Sequence, residues 1–132
     1  MYAKVSELIF ADFIEYDNKV IDMIMQAKEY IDNNLAEDLS LNTISSMFYH
    51  SPTYFSRLFK KVTGYGFSEY VINTRLKKAK ELLEETNLKV EEIAAKVGYD
   101  SVPYFIKSFK KVYGKTPNEY RIISLKANNK HS

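Results

Sequence analysis

The sequence predicts an all-α fold: two helix-turn-helix subdomains joined by a long linker helix, about seven helices plus an extra one at the N-terminus. Three observations predict it. Apolar residues recur at steps of three and four, while period-two alternation of β-branched residues is nearly absent. The 4 Gly and 3 Pro fall mostly between the periodic segments. Ser51–Tyr70, SPTYFSRLFKKVTGYGFSEY, returns fifty residues later as Ser101–Tyr120, SVPYFIKSFKKVYGKTPNEY, with 10 identities in 20 ungapped positions. A repeat of this kind marks one supersecondary unit used twice.

In chain order, the first stripe is Ile9, Phe13, Tyr16, Val20, Ile24, Ala27 and Ile31, helical in spacing. Asp17-Asn18 favours caps, so the spacing allows one helix near 5–16 with another near 18–34, or a single bent helix. Asn33-Asn34 ends it. Ser40 caps a short helix with Leu41, Ile44, Met47 and Phe48 as its apolar face, stopping at Tyr49-His50. Ser51-Pro52 opens the next with Ser at the N-cap and Pro at the first helical position. Its buried stripe is Phe55, Leu58, Phe59 and Val62; Thr53, Ser56, Arg57 and Lys60 lie opposite, and Gly64 supplies a left-handed C-terminal cap. Two short helices joined by a tight turn make a helix-turn-helix.

Phe67–Glu85 reads as one helix, its core side Tyr70, Val71, Leu76, Ala79, Leu82 and Leu83. The second unit repeats the plan: Val90, Ile93, Ala94 and Val97 mark a short helix ended by Gly98, and Asp100 or Ser101 caps the next. Its buried stripe is Phe105, Phe109 and Val112, its outer positions Pro103, Ile106, Lys107 and Lys110. Thr116-Pro117-Asn118-Glu119 forms a capping box for a last short helix to about Ser124. The implied organisation is 1–17 an N-terminal helix or interdomain linker, 18–66 the first unit, 67–86 the linker helix, 87–124 the second unit, and 125–132 a frayed tail.

Composition narrows the function. The 132 residues, 45% apolar, suffice for one domain. No run of apolar residues approaches the ~20 that span a bilayer, and the start lacks the pattern of a signal peptide. With no cysteine and only His50 and His131, no thiolate or imidazole cluster is available for a metal, and no cofactor motif appears. A soluble cytoplasmic protein is expected. Residues 1–50 hold three lysines against nine carboxylates, a net −6, whereas 51–132 carry +8. The basic part suits a polyanionic partner.

The spaced motifs carry a resemblance. Ile93-Ala94-Ala95-Lys96-Val97-Gly98-Tyr99, Tyr104-Phe105, Phe109-Lys110-Lys111, Gly114, Thr116-Pro117 and Glu119-Tyr120-Arg121 resemble the hallmark of the AraC/XylS family of transcription regulators. Arg75-Leu76 with Ala79 and Leu82-Leu83 is similar to that family's linker helix; Ser51-Pro52, Tyr54-Phe55 and Phe59-Lys60-Lys61 are similar to its first recognition helix. The likeness covers about residues 26–123, and the stretch 26–41 resembles what precedes this domain in YesN-type two-component response regulators. Ser45, His50, Pro103 and Ile106 depart from the usual pattern. The resemblance implies seven helices, two helix-turn-helix units entering adjacent major grooves of duplex DNA, and contact with RNA polymerase in many members. An upstream receiver or sensor domain, and a dimer through the N-terminal helix, are compatible with it.

The residues suit this role on their own chemistry. Recognition helices on one face of B-DNA sit about 34–36 Å apart, and the 19 residues of the linker helix span about 28 Å before its turns. The outer faces assign base contacts to Thr53, Ser56, Arg57, Pro103, Ile106 and Lys107. Arg57 matches guanine bidentately, whereas Lys107 is a point charge and Ile106 offers only apolar contact. Phosphate contacts fall to Ser51, Lys60, Lys61, Ser101, Lys110 and Lys111.

Two other classes compete. An enzyme would need catalytic residues, and no Ser–His–Asp set or glycine-rich phosphate loop is present. Glu84-Glu85 and Glu91-Glu92 point about 100° apart on a helix and read as surface charge. A helical protein-interaction module without DNA binding explains the first helix but not the doubled basic faces.

Overall fold

The computed structural model describes the backbone of residues 2–130 and the side chains of 17–128. Among the described residues there are seven helices and no strand. They are α1 (Tyr2–Asn33), α2 (Leu41–Met47), α3 (Pro52–Thr63), α4 (Phe67–Glu85), α5 (Val90–Lys96), α6 (Val102–Tyr113) and α7 (Pro117–Lys130). The chain divides into two compact units. One holds the chain up to Asn33 with Ser40–Phe67; the other holds Asn34–Leu39 with the chain from Ser68 onward.

The first unit is α1, α2 and α3. No Gly or Pro interrupts residues 2–33, and α1 runs through Asp17-Asn18 without a break. Asp and Asn each cost only tenths of a kcal/mol in a helix, roughly 0.7 at most, too little to end one whose face is buried. The separate N-terminal helix is therefore continuous with the next. Its residues Ile24, Ala27 and Ile31 are fully buried, as are Ile44, Phe55 and Phe59. The stripe positions Ile9, Phe13 and Tyr16 lie outside the described side chains. Helix α3 packs against both α1 and α2. Phe55 and Phe59 meet Phe67 edge-on at 6.0 and 5.3 Å, and Phe48 stacks on Phe55 at 5.9 Å. Met47 is exposed rather than part of the inner face of α2, and Ser45 is buried in its place. The small Ser45 side chain satisfies its hydroxyl by donating to the Asn42 carbonyl at 3.2 Å.

The second unit is built on α4. Leu76, Ala79 and Leu83 join Val90, Ile93 and Ala94 of α5, Val97 and Tyr99 of the turn, and Phe105 and Phe109 of α6 in one core. Each fully buried Phe contributes about 2–3 kcal/mol, more than any single cap. Val112, expected inside, is 45% exposed. Tyr113, one residue on, takes the inner position with its ring 4.8 Å from Phe109. Positions three and four beyond Phe109 both border its face of the helix, and the larger ring takes the inner space.

Helix ends follow local chemistry. Ser40, Ser51 and Ser101 each accept a hydrogen bond from the backbone N–H three residues on. Ser101, not Asp100, is the cap of α6. Gly64 and Gly114 close α3 and α6 at φ 82 and 76. At α7, Thr116 accepts from the Glu119 N–H at 3.2 Å and donates its hydroxyl to the Glu119 carboxylate at 3.0 Å. Helix α7 continues past Ser124 to Lys130, so the expected tail is helical over its described part. His131 and Ser132 lie outside the described residues.

Candidate nucleic-acid interface

Within the first unit, α3 turns its phenylalanines inward, which leaves Thr53, Arg57 and Lys60 fully outward and Ser56 half-buried beside them. Spacings of three and four place these four on one face. Ser51 is exposed, and so is Lys61. In the second unit α6 has the same build: 12 residues, a Ser cap, a left-handed Gly and two lysines in its last turn. Pro103, Lys107, Lys110, Lys111 and Ser101 are exposed. Ile106 differs. It is half-buried and packs against the unit's core, as its counterpart Ser56 is half-buried in the first unit. The helix residues proposed for base contact in each unit thus share one face, with Ser56 and Ile106 half-buried on it.

Lys60, Lys61, Lys110 and Lys111 stand in the last turns of their helices, where cations also complement the partial negative charge of the carbonyl ends. That structural role leaves the ammonium groups in solvent and available to an anion. Arg57 and Lys107 lie in mid-helix, where the end charge has faded, so their exposure has no comparable local reason.

Two features were not anticipated from the sequence. Tyr54 and Tyr104, conspicuous in the repeat, each lean on an aromatic residue of the preceding turn: Tyr54 lies 5.1 Å from the His50 ring and Tyr104 lies 5.9 Å from the Tyr99 ring. His50 is thereby an exposed aromatic neighbour of Tyr54, the two rings tilted 54° to each other. The signal was present in the spacing, since an aromatic precedes each recognition-type helix. The second feature is a pair of arginine clamps. Arg75 donates from Nε to the Leu35 carbonyl at 3.2 Å and from Nη2 to the Glu37 carbonyl at 3.1 Å. Arg121 donates to the Leu83 and Thr86 carbonyls, each at 3.2 Å. Helix α4 has no basic residue in its own last turn, and Arg121 serves its C-terminal carbonyls from α7.

The rear of α6 is also organised electrostatically. The Lys80 ammonium lies 5.4 Å from the Tyr113 ring centroid and 5.9 Å from that of Tyr120, a cation–π arrangement. The Tyr120 hydroxyl donates to the Glu84 carboxylate. Burial first, and then the Glu84 carboxylate, pushes the Tyr120 phenol up to about 12. Burial likewise raises Tyr113 and Tyr99. Among the described residues no group of His, Cys, Asp or Glu is arranged to hold a metal ion, and no helix is long and apolar enough to cross a membrane.

This architecture has known counterparts. Residues 44–122 match the sequence pattern of a family described as a helix-turn-helix domain. The regulatory protein PocR of Salmonella typhimurium is 42% identical over 96 residues, 73% of this chain and 32% of that protein. The C-terminal domain of AraT, a response regulator from Geobacillus stearothermophilus, superposes with a TM-score of 0.74 at 38% identity, covering 76% of this chain and 84% of that one. The DNA-binding domain of the global transcriptional factor AdpA, solved in complex with a target DNA, superposes at 0.73 with 26% identity, covering 76% of this chain and 90% of that one. The chain spans about a third to a half of the length of the first curated relatives it matches.

Proposed function

The chain belongs to the AraC-type family of helix-turn-helix DNA-binding domains, and from that membership we propose that it is the DNA-reading part of a transcription regulator that engages duplex DNA through α3 and α6. One observation carries the reading. Two 12-residue helices with the same serine cap and glycine stop each keep an apolar face buried and turn a mid-helix cation and a terminal lysine pair outward. Doubling of a core helix needs no doubling of its solvent face; doubling of a reader does.

In this reading Thr53, Ser56 and Arg57 contact base edges from α3, and Pro103 and Lys107 do so from α6, with Ile106 limited to van der Waals contact because its side chain has no donor or acceptor. Lys60, Lys61, Lys110 and Lys111, with the helix ends at Ser51 and Ser101, take the phosphates. The first unit supplies most of the hydrogen-bonded discrimination. The two helices enter successive major grooves, with α4 as the spacer. The protein works in the cytoplasm, without catalysis of its own, downstream of a receiver or sensor domain and beside RNA polymerase. The organisation is then 18–66 and 87–124 as reading units around the linker helix 67–86.

The experiment is selection of bound sequences from a random duplex library, followed by mobility shifts of the selected duplex at two salt concentrations. A two-part motif one helical turn apart, with affinity falling steeply as salt rises, is the expected result. Binding that ignores salt and sequence overturns the reading in favour of a protein-interaction module.

A further inference from the structure

The short helices α2 and α5 end in the same hydrogen-bonded turn. In the first unit the Tyr49 N–H donates to the Ser46 carbonyl and the His50 N–H to the Ser45 carbonyl. In the second the Gly98 N–H donates to the Ala95 carbonyl and the Tyr99 N–H to the Ala94 carbonyl. Both are Schellman motifs, which need one left-handed residue directly after the C-cap. That residue is Tyr49 at φ 61 in one unit and Gly98 at φ 94 in the other. The motif imposes the conformation. Glycine adopts it freely and Asn tolerates it, whereas an aromatic residue is held there against its preference.

In the second unit glycine is required twice over. A Cβ at Gly98 would stand 2.1 Å from the Leu35 carbonyl oxygen. At Tyr49 the opposite holds, for the residue is 95% exposed and its ring fills no packing site. Neither the backbone nor the core explains a tyrosine at this position.

Its surroundings do. Tyr49 stands two residues before Ser51, the cap of α3, so the two are at most about 7 Å apart along the chain. Exposed His50 lies between them, its ring 5.1 Å from that of Tyr54 on the first turn of α3. The sequence from Asp38 to Glu69 contains Arg57, Lys60 and Lys61 and no carboxylate between those two acids. A phenol hydroxyl beside such a helix end suits an anionic acceptor, and tyrosine is among the side chains that donate to phosphate. Strained residues persist where a ligand contact gives them a use.

We propose that Tyr49 is a further DNA contact of the first unit, its hydroxyl donating to a phosphate oxygen of the strand that borders the groove read by α3. This rests on the DNA-reading role of α3 given above. The contact brings a hydrogen bond but no charge. It therefore adds affinity without displacing a counterion, unlike the contacts of Lys60 and Lys61. It also carries no sequence information.

The test measures binding of wild type, Tyr49→Phe and Tyr49→Gly to the selected duplex and to its single-base changes, at several salt concentrations. Tyr49→Phe keeps the ring and the backbone and removes only the hydroxyl. It is expected to weaken every duplex by about fivefold, as the loss of one neutral hydrogen bond does, with the salt slope unchanged. Tyr49→Gly is expected to weaken binding at least as much while raising the Tm. A variant that melts higher yet binds less has not lost its fold. Selected duplexes with single phosphates replaced by uncharged methylphosphonates locate the partner, since one replacement should weaken wild type more than Tyr49→Phe. Affinities of both variants equal to that of wild type overturn the proposal. So does a loss confined to Tyr49→Gly, in which the hydroxyl has no part, and so does a change of base preference in Tyr49→Phe, which puts the hydroxyl on a base edge. Wild type without sequence preference defeats the DNA reading itself; that outcome is distinct because it appears without any substitution.

Discussion

Tyr49 and Gly98 hold the same station in the two helix-turn-helix turns, each directly after the C-cap of the short helix, and both have left-handed backbone, at φ 61 and 94. Gly98 adopts this conformation without cost. Tyr49 is the only non-glycine with positive φ among the described residues, and it is 95% exposed. Its ring thus gains little from packing to offset the strain. The left-handed conformation costs an L-residue about 1–2 kcal/mol, partly balanced by the greater chain entropy that glycine loses on folding. Tyr49→Gly is expected to stabilise the protein by about 1 kcal/mol, read as a higher Tm and a higher urea midpoint at unchanged slope.

A second asymmetry between the units lies at Gly66. It occupies the position that Thr116 takes before α7, and Glu69 stands three residues on as Glu119 does there. A Cβ at Gly66 meets nothing within 4 Å, and its φ is not left-handed. Gly66→Thr should therefore install on α4 the reciprocal Thr–Glu contact seen at α7. The cap contributes a few tenths of a kcal/mol over glycine, and reduced freedom of the unfolded chain adds about 0.4–1. Denaturant melts of the single variant, and of Gly66→Thr combined with Glu69→Ala, should show a gain that partly depends on the carboxylate.

These two cases mark the boundary of what sequence alone discloses. The inward phenylalanines of α3 and α6, the serine caps and the glycine stops are local: each follows from spacing within one turn or from a single dihedral. The outward faces follow by subtraction, which is why most proposed contact residues are exposed. Arg75 and Leu35, 40 residues apart, share no local pattern. Nor does the seat of Lys80 over Tyr113 and Tyr120. Tyr49 was illegible for another reason: tyrosine does not signal a left-handed turn, so the residue type contradicts its conformation. Val112 and Tyr113 differ by one position in a turn where spacing permits either inside.

The phenols confer alkaline sensitivity. Tyr120 is pushed up to about 12, chiefly by burial and then by Glu84, against an ordinary value of about 10. Between these values the unfolded chain gives up a proton that the folded protein retains, so stability falls as pH rises from about 10 toward 12 and is unaffected near neutrality. Tyr113 and Tyr99, raised in the same direction, steepen the fall. Tm measured across this alkaline range should drop less steeply for Tyr120→Phe than for wild type. Equal slopes would show that Tyr120 ionises alike in both states.

Arg57 and Lys60 stand three positions apart on the outer face of α3, both exposed, yet their substitution should give different signatures. A guanidinium donating two hydrogen bonds to one guanine discriminates among bases; an ammonium on a phosphate does not. Arg57→Ala is expected to cost about 1–3 kcal/mol on the selected duplex and to relax preference at a single base pair. Lys60→Ala should weaken every duplex by a similar factor and lower the salt slope by about one unit. Titrations of both variants against the selected duplex and its single-base changes, at several salt concentrations, separate the two roles. If Arg57→Ala leaves base preference intact while flattening the salt dependence, Arg57 is a phosphate ligand and sequence reading in the first unit passes to Thr53 and Ser56.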